Sequence, residues 1–67
     1  MTTEQSTELQ NTLETMLTRI AMGDDITEQL FKIQEISIAI ESTAPTMLKH
    51  YLQKKSYTKA LDFLKEE

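Results

Sequence analysis

Residues 47–67 read "MLKHYLQKKSYTKALDFLKEE", and the middle of that stretch decides how the chain ends. From Ala44 onward, Met47, Leu48, Tyr51 and Leu52 share one face of a helix. Tyr57, Ala60, Leu61 and Leu64 share another. In one continuous helix the apolar face would swing by about 150° between Leu52 and Tyr57, because each residue advances the wheel by a fixed angle. No single packing surface can follow that jump. The spacing therefore predicts a break at Lys54 to Ser56, with Ser56 capping a short fourth helix.

Upstream, "STAPT" at residues 42–46 supplies the preceding boundary. Ser42 or Thr43 can cap there, and Pro45 fits a first helical turn, where it removes no intrahelical donor. The predicted third and fourth helices span about 44–54 and 57–66. Before them, Ile26, Leu30, Ile33, Ile36 and Ile40 fall within one face of roughly 120°. That gives a second helix over 26–42, with Asp25 and Glu28 spaced as a reciprocal capping box. Four isoleucines in "FKIQEISIAIES" would also suit a strand. The alternation changes phase between Ile33 and Ile36, and no second strand is available to pair with it, so helix is the expectation. Leu9, Leu13, Met16 and Ile20, with Leu17 alongside, form the stripe of a first helix over 3–22, which Gly23 closes. The fold class is all-α: a small four-helix bundle, two longer antiparallel helices followed by a short helical hairpin, in one domain over 1–67.

Within the second helix, Phe31 and Ile38 stand apart from the main apolar face, seven residues from each other and with Glu35 beside them. A helix apolar on two sides is central in its domain or covered by another chain. Phe63 lies at the edge of the fourth helix's stripe. Phe31, Glu35, Ile38 and Phe63 are thus the candidate partner-binding residues. Met16 and Met47 are expected to fill core gaps, and Met22 lies off the face of its helix.

"YLQKKSYTKALDFL" resembles the junction of the two helices in a tetratricopeptide repeat, with Tyr51, Tyr57 and Ala60 at matching spacing and Leu61 and Leu64 as packing residues. The resemblance covers about a third of the chain and departs from the family at Ala44, Leu48 and Lys55. It implies a helical hairpin of similar local packing. One copy builds no stacked array, so groove binding of peptides is not carried over.

Composition narrows the function classes. The chain has 67 residues, no cysteine and one histidine, His50, which excludes a disulfide scaffold and a Cys/His zinc site. A domain this small has a thin core, and oligomerisation is the compensation left open. Residues 1–42 carry a net charge of −6 and residues 43–67 carry +2, within a total of −4. Lys49, Lys54, Lys55 and Lys59 form the basic concentration, a possible anion-binding group. As a nucleic-acid site it lacks arginine, an interleaved aromatic platform and a basic overall balance. A helix-turn-helix reading would make the fourth helix the reader, but that helix ends in acidic residues that repel phosphates.

His50 has no residue in the sequence to orient it as a base, and it fits the boundary of the third helix. Asp24 and Asp25 lack the alternating ligands of a calcium loop. No enzyme activity, cofactor, metal or small-molecule ligand is therefore expected. The polar start and the short apolar runs lead to the expectation of a cytoplasmic protein that does not enter a membrane. The function expected is a non-enzymatic protein–protein interaction module, a homodimer or a small adaptor. The alternative is a small nucleic-acid-associated regulator using the lysine-rich hairpin.

Overall fold

The computed structural model describes residues 1–66. Among them are four α-helices and no strand: α1 (Thr3–Met22), α2 (Thr27–Ala39), α3 (Thr46–Gln53) and α4 (Tyr57–Glu66). They pack together in a body of 33 × 22 × 22 Å. Among the described residues, no helix is long and apolar enough to cross a membrane.

Each boundary has a local cause. Thr2 caps α1 through a capping box: its hydroxyl accepts from the Gln5 amide, and the Gln5 side chain accepts from the Thr2 amide. Gly23, at φ 77°, ends that helix in the left-handed conformation. The capping box expected at Asp25 and Glu28 does not form. Asp25 instead accepts from both the amide and the hydroxyl of Thr27, and α2 begins at Thr27 behind an Ile26 with no side-chain cap.

α2 also stops earlier than the periodicity predicts, at Ala39 rather than residue 42. The carbonyl of Ile40 receives the amides of both Thr43 and Ala44, which turns the chain, while the Ile40 side chain is fully buried. Pro45 occupies the N-cap position of α3 rather than its first turn, so that helix starts at Thr46 and not residue 44. A proline has no side-chain acceptor, and an extended residue suits the N-cap, where the backbone has not yet turned helical. The break at Lys54 to Ser56 is where the phase jump puts it. Lys55 takes φ 59°, Ser56 returns a hydrogen bond to Tyr51, and Ala60 starts α4 by donating to the Ser56 carbonyl.

Packing is organised by α1. It lies against α2 and α4, and α3 lies against α4. Of the two alternatives for helix 2, central in the domain or covered by another chain, the central place belongs instead to α1. α2 runs back along α1, so that Lys32 meets Glu8 at 3.4 Å and the amino terminus donates to the Thr43 carbonyl at 3.3 Å. Leu9, Leu13 and Met16 from α1 meet Ile33, Ile36 and Ile40, with Leu48, Ala60, Leu61 and Leu64 completing the core. Each fully buried leucine, isoleucine or methionine among them stabilises the fold by about 1.5–3 kcal/mol. Thr12 is buried as well, an exception made tolerable because its hydroxyl donates to the Glu8 carbonyl at 2.8 Å.

Three residues expected inside are outside. Ile20 and Met47 are each about half exposed, and Leu30 is 41% exposed. For Ile20 the cause is length: α1, at 20 residues, is longer than the 13-residue α2 and the 10-residue α4 that cover it. Leu30 faces a different space, between α2 and the C-terminal hairpin.

Candidate functional site: the outer face of α2 and the groove beside it

Around α2 the residues follow a fixed order set by the helical angle: Ile40 and Ile33, then Leu30, Gln34, Ile38, Phe31 and finally Glu35. The first two are in the core. Leu30 and Gln34 turn toward the hairpin. Ile38 and Phe31 come next and leave 66% and 64% of their surface in solvent. Glu35 closes the strip with a carboxylate. Packing on α1 takes up one side of α2, and the apolar residues continue past it, so the helix presents an amphipathic edge with no partner among the described residues. Large apolar side chains grouped on a surface are the ordinary mark of an interaction site, whereas single ones are not.

That edge borders a groove. α2 and the α3–α4 hairpin diverge over an open space of about 520 Å³. Ile33 and Ile40 line its inner part, Leu30 and Ile38 the α2 wall, and Leu52 and Tyr57 the hairpin wall. Its polar rim has Gln34 and Glu41 on the α2 side and Lys49 and Lys55 on the other. The groove was not legible in the sequence, since it depends on how far apart α2 and the hairpin stand.

The other singled-out residues distribute as follows. Phe63 does not join Phe31 and Ile38. It is half-buried against the core, with its ring edge-on to Tyr51 at 6.4 Å and 67°, because α4 turns its stripe toward α1 and α3. The four lysines are split: Lys49 and Lys55 line the groove, and Lys54 and Lys59 are exposed elsewhere on the hairpin. His50 is exposed, 6.2 Å from the Tyr51 ring. Asp25 is exposed on the α1–α2 turn. The hydroxyl of Thr27 holds its carboxyl below the usual range, with smaller help from the Thr27 amide. Among the described residues, no three side chains of the metal-ligating types converge.

Compared with protein families, curated proteins and solved structures, the chain matches none. α3 and α4 pack against each other.

Proposed function

We propose that this chain is a non-enzymatic protein–protein interaction module built on a small four-helix bundle, acting as a homodimer or an adaptor. The observation that carries the reading is the pair Phe31 and Ile38, both about two-thirds exposed on one edge of α2. A chain of 67 residues has few large apolar side chains to spend. Leaving both about two-thirds exposed on one edge forgoes roughly 1–2 kcal/mol of burial each, which a partner restores.

Glu35 gives the edge a charged margin, as in interfaces where an apolar centre is ringed by polar groups. The experiment is light scattering at micromolar concentration together with capture of binding proteins, each with the wild type and with Phe31→Glu. Self-association or a captured protein that disappears in the variant supports the reading. A monomer whose captured proteins are unchanged by Phe31→Glu overturns it.

A further inference from the structure

We propose that the occupant of the groove is α2 of a second copy, in a two-fold dimer that sets Glu35 of each chain against Lys49 and Lys55 of the other. This rests on the reading of the outer α2 edge as a docking surface, and adds what it docks into. The groove calls for a helix with large apolar residues along one line and negative charge at its margin, since its hairpin wall is apolar with two lysines on the rim. The α2 edge is such an element: Ile38 and Phe31 lie on one strip two helical turns apart, with Glu35 next to them, and Leu30 is set off from them by Gln34.

Charge agrees at the larger scale too. The segment containing α1 and α2 carries −6 and the segment containing the hairpin carries +2, so contacts between unlike halves of two copies are attractive.

Symmetry selects the orientation. The edge and the groove adjoin on the same helix, so each copy can give and receive at once, as an isologous interface requires. If the two-fold axis runs alongside the two α2 helices, they lie side by side in the same direction, and the outer edge of each faces the other's hairpin. If the axis runs across them, both outer edges point away from both hairpins, and Glu35 meets no lysine. The first arrangement satisfies the apolar strip and the charges together.

The test is a dilution series of the whole chain by sedimentation or light scattering, with circular dichroism confirming that every variant is folded. Glu35→Lys is expected to raise the dimer dissociation constant about tenfold or more, and Lys49→Glu to do the same, because each sets like charges against each other. Combining Glu35→Lys with Lys49→Glu and Lys55→Glu is expected to restore association to within about threefold of wild type, the pairs being re-formed with exchanged sign. Lys49→Glu on its own keeps the result readable if replacing Lys55 disturbs its turn. Absence of loss in the single reversals, or of recovery in the combination, overturns the groove docking. If such a dimer still dissociates with Phe31→Glu, the outer edge of α2 remains an interaction surface and only its destination is wrong. A wild-type chain that stays monomeric at roughly 100 μM, a concentration that detects even weak association, overturns the second copy as occupant.

Discussion

Gly23 and Lys55 close α1 and α3 with the same backbone turn, at φ 77° and 59°. In both, the following amide reaches back five residues at 2.8 Å, Asp24 to the Arg19 carbonyl and Ser56 to the Tyr51 carbonyl. The left-handed residue's own amide goes to the carbonyl three before it, Gly23 to Ile20 and Lys55 to Leu52, which completes the Schellman pattern. Glycine enters this conformation freely, whereas a side chain costs roughly 1 kcal/mol. Lys55→Gly is therefore expected to raise the chain's stability by about 1 kcal/mol, and Gly23→Ala to lower it by a similar amount. The second effect is conformational, since a Cβ at Gly23 meets nothing within 4 Å. Urea unfolding followed by circular dichroism reads both, and a destabilised Lys55→Gly would contradict the argument.

Leu13 and Ile20 share the apolar stripe of α1, but Leu13 is fully buried and Ile20 is 51% exposed. Truncating a buried leucine costs about 2–5 kcal/mol, while an exposed position is usually worth under about 0.5 kcal/mol. A domain of this length has roughly 3–10 kcal/mol in total. Leu13→Ala is expected to remove most of it and leave the chain largely unfolded when warmed. Ile20→Ala is expected to melt near the wild type. Equal melting shifts for the two would mean that the end of α1 is covered.

What the sequence made legible is what local physics dictates. The phase jump between Leu52 and Tyr57 located the turn between α3 and α4, and Gly23 located the end of α1, because each depends on residues within a few positions. The end of α2 departs from its spacing because Ile40 continues the helical pattern yet its carbonyl is taken by the amides of Thr43 and Ala44. The exposure of Phe31 and Ile38 follows from spacing alone, whereas the cover of Phe63, at the edge of its stripe, does not, since its neighbour Tyr51 lies across a turn and the contact depends on the angle between α3 and α4. The groove depends on a gap between α2 and a hairpin that begins after Pro45, and no residue pattern encodes the width of a gap.

Asp25 and Thr27 give a pH handle on the α1–α2 turn. The Thr27 hydroxyl donates to the Asp25 carboxylate at 2.7 Å and the Thr27 amide at 3.1 Å, and these bonds favour the charged form. The folded pKa is thus lowered, so the contribution is fully present above the pKa of the unfolded carboxyl and is lost as pH falls through the lowered folded value. Thr27→Val removes the larger cause. The Asp25 carboxyl, followed by NMR, is expected to titrate at a higher pH in that variant than in the wild type. An unchanged midpoint would show that the hydroxyl bond is not formed in solution.

Phe31 and Phe63 separate interaction from folding. Phe63 packs edge-on to Tyr51 and against the core, and removing a half-buried aromatic with such a contact costs roughly 2 kcal/mol. Phe31 is 64% exposed, so its loss is expected to change the unfolding free energy of the isolated chain by less than about 0.5 kcal/mol. The two alanine variants are therefore expected to behave oppositely in two measurements. At concentrations low enough to dissociate any complex, Phe63→Ala melts earlier and Phe31→Ala melts with the wild type. At high concentration, Phe31→Ala loses association, because the side chain it lacks contributes there and not to the monomer. A Phe31→Ala chain that is destabilised in dilute solution would place that ring inside the fold, and the exposed edge of α2 would lose its central residue.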